Sequence, residues 1–136
     1  MQRRQFLGSL AAASVFPRGG FAQSTSSRLV AGVHRQQILP AGYPETEMWS
    51  FDAAFPGTAL RARQGDRLGI TVENQLPQAT SVHWHGLRLD NAMDGVPGLT
   101  QSPIAEGASF DYDFALPDAG TYWYHSHAKS MEQIER

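Results

Sequence analysis

Apolar and polar residues alternate along much of this chain, and a helical period is nowhere sustained. Leu68, Ile70 and Val72 interleave with Arg67, Thr71 and Glu73, and Phe110, Tyr112 and Phe114 with Ser109, Asp111 and Asp113. Successive side chains of a strand point to opposite faces, so each run describes a half-buried strand with one face toward a core. Turn-forming residues punctuate the runs at Pro56-Gly57, Gln64-Gly65-Asp66, Gln75-Leu76-Pro77, Val96-Pro97-Gly98 and Leu116-Pro117-Asp118. The pattern predicts strands near 28–37, 46–52, 58–63, 67–74, 79–86, 108–115 and 120–126. Short strands at this spacing describe an all-β domain, an antiparallel β-sandwich or barrel. The segment 87–106 is the one long connection without a strand pattern, and loops of that length often carry function.

Ahead of the strands, Met1-Gln2-Arg3-Arg4-Gln5-Phe6-Leu7-Gly8 sets two adjacent arginines before a short apolar stretch, Phe6 to Phe16. That stretch is well short of the roughly 20 apolar residues a helix needs to cross a bilayer, so a membrane anchor is not expected. Small residues at Gly20 and Ala22 place a cleavage point near Ala22–Gln23. Residues 1–22 are therefore expected to be a signal peptide, similar to bacterial twin-arginine signals with their R-R-x-F-L core, which implies export to the periplasm. Residues 23–27, polar and Ser-rich, are expected to be a flexible leader, with the folded domain over 28–136.

A length of 136 residues leaves room for one domain. The formal charge is −2, and loss of 1–22 removes three arginines and no acid, leaving about −5. With no basic run or patch, a nucleic-acid partner is not expected. The absence of cysteine excludes disulfides, thiolate nucleophiles and Cys-ligated metal sites.

Four of the five histidines fall in two His-x-His pairs, His83/His85 in Val82-His83-Trp84-His85-Gly86 and His125/His127 in Tyr122-Trp123-Tyr124-His125-Ser126-His127. Residues i and i+2 of a strand share a face, so each pair presents two imidazoles side by side. If the two strands meet, four imidazoles converge. Imidazole serves zinc, copper, iron and nickel alike; copper(II) heads the divalent affinity order, and closed zinc sites usually include cysteine. Ligand type alone leaves copper and zinc both open.

The segment from about Arg28 to Gln133 resembles the first cupredoxin domain of the multicopper oxidases, the group of laccases and bacterial copper-resistance oxidases. The resemblance rests on His83-Trp84-His85-Gly86, Met93-Asp94-Gly95-Val96-Pro97-Gly98 and Gly120-Thr121-Tyr122-Trp123-Tyr124-His125-Ser126-His127, in that order. Pro56-Gly57-Thr58 and the Gly65-Asp66 turn also fit. It implies a Greek-key β-sandwich of cupredoxin type. It also implies a cluster of three coppers that reduces dioxygen to water, with electrons from a phenol or a cuprous ion. By position His83 would bind the type 2 copper, His85 and His125 one type 3 copper, and His127 the other. Asp94 would lie beside the type 2 site and help deliver protons, although Asp94-Gly95 is also an ordinary turn pair. Trp84 and Trp123 are expected to be strand packing residues, His34 a non-ligand, and Met93 no more than a weak candidate for copper(I).

The resemblance also defines what this chain lacks. In the family the cluster lies between the first and last cupredoxin domains, and the last supplies four further histidines and the cysteine of the type 1 copper. Neither that cysteine nor a third histidine pair is present. The expectation is half of a site, in a truncated domain without its closing strand, whose partner is the C-terminal cupredoxin domain. The alternative is a stand-alone copper or zinc binding module without turnover.

Overall fold

The computed structural model describes residues 24–136. The signal peptide expected over 1–22 lies outside the described residues. Six strands form: β1 (Ser24–Gln36), β2 (Thr46–Phe51), β3 (Arg67–Asn74), β4 (His83–His85), β5 (Ser109–Ala115) and β6 (Trp123–His125). A single turn of helix, α1 (Ser130–Gln133), follows them. Four strands make one sheet in the order β2-β1-β3-β5, and β4 and β6 make a second. β1 runs parallel to β3, and the other pairs are antiparallel. Among the described residues no helix is long and apolar enough to cross a membrane.

The period-two pattern sets the layers. Leu68, Ile70 and Val72 of β3, with Tyr112 and Phe114 of β5 and Leu29 of β1, turn inward and meet Val82, Trp84 and Ile104 from the opposite layer. Trp84 is the keystone, its ring 5.3 Å from both Tyr112 and Phe114. Such aromatic contacts are worth about 0.5–1.5 kcal/mol each beyond the area they bury. The outer face carries the polar half of the same pattern. There Arg28 pairs with Glu73, Arg67 with Asp113, and Thr71 donates to Asp111.

Three expectations need correction. The flexible leader is overturned at residues 24–27, where Ser24 to Ser27 already pair with Arg67 to Ile70 as the start of β1. Composition misleads because a ladder is bonded through the main chain, and small hydroxyl side chains on a strand do not prevent it. The strand expected over 58–63 does not form. Leu60 does pack on the core, as the alternation implies, yet no neighbouring strand is paired with it among the described residues. Alternation reports which face is buried, not whether a partner lies alongside. The strand expected over 79–86 divides, with Thr80 bridged to Ile104 and only His83–His85 paired with β6.

Asn74, at the end of β3, joins these pieces. Its buried amide donates to the carbonyls of Gln78 and Ile104 and accepts from the N–H of Leu76. Tyr124 makes a comparable tie from β6, its hydroxyl donating to the Thr58 carbonyl at 2.8 Å. Burial, with a smaller contribution from the Asp52 charge, pushes the Tyr124 phenol up to about 12. Because the folded value exceeds that of a free tyrosine, about 10, stability held below pH 10 should be lost as pH rises toward 12. Alkaline unfolding followed alongside phenolate absorbance checks this, and Tyr124→Phe should flatten the stability loss over that interval.

Candidate metal centre

The ladder between β4 and β6 sets His83 opposite His125, Trp84 opposite Tyr124, and His85 opposite Trp123. Alternation then divides the six side chains. Trp84 and Tyr124 turn into the core, with rings 5.7 Å apart, while His83, His85, His125 and Trp123 share the other face. The imidazoles converge there. The His83 ring lies 5.6 Å from His85, 5.4 Å from His125 and 5.3 Å from His127. One ligand nitrogen from each of His83, His85 and His125 falls within 4.8 Å of the others. His127 stands to the side of this trio, its ring inclined 28° to that of His125 at 6.2 Å.

The second nitrogen of each ring decides whether the first is free for a metal. His83 Nδ1 donates to the Asp94 main-chain carbonyl at 2.8 Å, and His125 Nδ1 to the Ser126 carbonyl at 2.8 Å. Both rings are thereby fixed in the tautomer whose Nε2 carries a lone pair. His85 presents Nδ1 instead, 3.3 Å from His125 Nε2. Two nitrogens each bonded at about 2.0–2.1 Å to one tetrahedral ion stand about 3.3 Å apart, so this pair fits a shared metal. Burial holds the His125 imidazole below its ordinary pKa, and the three neighbouring imidazoles act in the same direction against the Ser126 bond. The neutral, ligating form is favoured.

A family of known proteins shares these features. The profile described as Multicopper oxidase matches residues 32–135. The chain belongs to the multicopper oxidase family. Family membership implies copper as the metal for this donor set. Copper resistance protein A of Pseudomonas syringae pv. tomato is 36% identical over 146 residues, spanning 97% of this chain and 24% of that protein. Multicopper oxidase CTB12 of Cercospora beticola is 47% identical over 111 residues, spanning 80% of this chain and 18% of that protein. The crystal structure of Lac15 from a marine microbial metagenome superposes with a TM-score of 0.77 at 53% identity, over 81% of this chain and 30% of that one. The multi-copper oxidase from Pseudomonas thermotolerans gives 0.79 at 40% identity, over 85% and 28%. The fold is therefore the cupredoxin type of these oxidases, and the chain spans about a quarter or less of the curated relatives named here.

Asp94 lies against His83 through two groups. The main-chain carbonyl takes the short bond, and a carboxylate oxygen stands 3.2 Å from the same Nδ1. Met93 packs on the core and accepts the Asp113 N–H on its sulfur at 3.4 Å. It anchors the 87–106 loop to β5. Trp84 packs in the core, whereas Trp123 does not: it is 52% exposed and stacks on His85 at 4.8 Å and His125 at 4.2 Å. The expectation that Trp123 is a packing residue is corrected by its place on the histidine face, a consequence of the same alternation that aims the histidines. His34 lies outside the cluster, with Nδ1 3.0 Å from Ser50 Oγ. Gln133, in α1, sits in a polar tail with no pattern that marks it.

The approach to His83 is gripped on both sides of Val82. The Val82 N–H donates to the buried Tyr112 hydroxyl at 3.0 Å, and the Val82 carbonyl lies against Gly95. Gly95 has φ of +78°, and a Cβ there would stand 1.8 Å from the Val82 oxygen. Neither the backbone angle nor the space admits a side chain. Gly95→Ala should therefore displace β4 and cost at least tenfold in metal affinity, together with a lowered unfolding midpoint. Calorimetric titration and denaturant unfolding check this, and a variant matching the parent in both would remove the close approach as a constraint.

Proposed function

We propose that this chain is the N-terminal copper-binding domain of a multicopper oxidase, supplying His83, His85, His125 and His127 to a trinuclear copper cluster. The observation that carries the reading is the convergence of these rings with the far nitrogens of His83 and His125 already tied to main-chain carbonyls. His83 would serve the type 2 copper, His85 and His125 one type 3 copper, and His127 the other. The position of His127, beside the trio rather than within it, suits that division. When bound, such a cluster supplies four-electron reduction of dioxygen to water, drawing electrons from a phenolic or cuprous substrate.

The residues of this chain contribute orientation and proton supply. The Asp94 carbonyl holds the His83 ring, while its partly exposed carboxylate, 3.2 Å from the same nitrogen, is placed to pass a proton inward. Trp123 shields one side of His85 and His125 from water. The remaining ligands and the type 1 copper would come from a C-terminal cupredoxin domain. Export by a twin-arginine signal to the periplasm is part of the same proposal, on the strength of Arg3-Arg4 with Phe6-Leu7.

Titration of the full chain with Cu(II) tests the ligand set. His125→Ala should weaken binding at least tenfold, and His34→Ala should leave it unchanged. Equal affinity of the His125→Ala and parent chains would sink the assignment. Oxygen uptake separates an oxidase domain from a binding module: copper retained without uptake when the domain is joined to its expected partner would favour the module.

Asp94→Asn separates the two functions of that residue. The main-chain bond to His83 remains, so copper content should hold. Oxygen uptake by a copper-loaded oxidase carrying this domain should fall at least tenfold, most steeply at high pH where solvent protons are scarce. An unchanged pH profile would remove Asp94 from proton delivery.

A further inference from the structure

We propose that Gln133 is a positioning residue for the histidine cluster, its buried amide tying the chain that enters β4 to the chain that leaves β6. Gln133 is 8% exposed, and both ends of its amide are engaged. Its Oε1 accepts from Thr80 Oγ1 at 2.8 Å and also from Ser126 Oγ. Its Nε2 donates to the Ala79 carbonyl at 2.9 Å. Ala79 and Thr80 lie just ahead of His83, and Ser126 lies between His125 and His127. One side chain thus bonds both ligand-bearing segments from behind.

The ladder explains why such a tie is needed. Its paired residues run from His85↔Trp123 to His83↔His125 and extend no further along either strand. His127 lies beyond it, so its place relative to His83 depends on side-chain bonds. These are the Gln133 bonds, the Thr80–Ser126 hydroxyl contact at 3.2 Å, and the His127 N–H donated to Ser81 Oγ at 3.3 Å. Thr80, Ser81, Ser126 and Gln133 are all buried, whereas His127 is exposed. The segment is fixed from below while the His127 ring stays exposed. An amide fits the task because it accepts two hydroxyls on one end while donating to a carbonyl on the other, which a carboxylate cannot do. Buried polar networks specify geometry when every member is satisfied.

This inference rests on the copper reading of the four histidines, and the experiment separates the two. Cu(II) alone is titrated into the full chain, into Gln133→Ala, and into the combination Gln133→Leu, Thr80→Val, Ser126→Ala. Affinity, nitrogen hyperfine coupling in the copper resonance spectrum, and the unfolding midpoint are read for each. Gln133→Ala should bind at least tenfold more weakly and show fewer coupled nitrogens. The combination removes donors and acceptors together, so its unfolding midpoint should recover toward that of the parent. Its copper affinity should nonetheless stay at least tenfold down, with the reduced nitrogen count. Recovery of affinity and nitrogen count along with stability would show the cluster to be mere packing and overturn the proposal. So would parent-like binding by Gln133→Ala. A parent chain that holds no copper would overturn the copper reading itself, and the positioning role with it.

Discussion

The pairing of β4 with β6 is the constraint on which this structure depends. Three residue pairs put Trp84 and Tyr124 on one face and His83, His85, Trp123 and His125 on the other. A slip of one residue would exchange the faces, burying imidazoles in the core and exposing the tryptophan that packs on Tyr112 and Phe114. Core packing and ligand placement are therefore one condition. The burial of Trp84 stabilises the register that brings His83 opposite His125, so the site is held by the hydrophobic core rather than by the histidines' attraction for one another.

Holding four imidazoles together without a metal has a cost, and the local bonding shows how it is met. Clustered imidazoles would repel if protonated, and burial already lowers the His125 pKa. Fixing Nδ1 of His83 and of His125 on main-chain carbonyls leaves each Nε2 with its lone pair outward. The rings are thereby oriented before any ion arrives, so less ordering remains to be done on binding. His85, which presents Nδ1, is steadied by stacking on Trp123 instead. Different devices reach the same end because the two faces of each ring have different neighbours.

Much of this was legible from the residues. The alternation in β3 and β5 predicts both strands to within a residue, because one face of β3 is fully buried and Tyr112 and Phe114 of β5 are buried beside it. The His-x-His spacing predicted shared faces, and the 87–106 loop did prove to carry Asp94 and Gly95 to His83. The misses have a common physical origin. Residues 24–27 and 58–63 depend on which neighbour supplies main-chain partners, and side-chain pattern contains no record of that. Trp123 belongs with the histidines because its even spacing from His125 puts it on their face, a parity that outweighs its aromatic character. Gln133 carries no pattern at all; its role arises only where Ala79, Thr80 and Ser126 meet around it.

Tyr112, Gly95 and Gln133 share a feature that bears on how such a site stays both firm and open. None of the three hydrogen-bonds a ring of the histidine cluster. Tyr112 holds the Val82 N–H, Gly95 admits the Val82 carbonyl, and Gln133 bonds Ala79, Thr80 and Ser126. Each acts on the backbone or on a side chain close in sequence to a histidine. Support placed behind the strands occupies no coordination position and leaves the outward face open to an ion. Support in front would compete for the same nitrogens. The division between a satisfied, buried polar layer and an exposed layer of imidazoles is what lets a short two-stranded ribbon present ligands at fixed spacing while keeping them accessible.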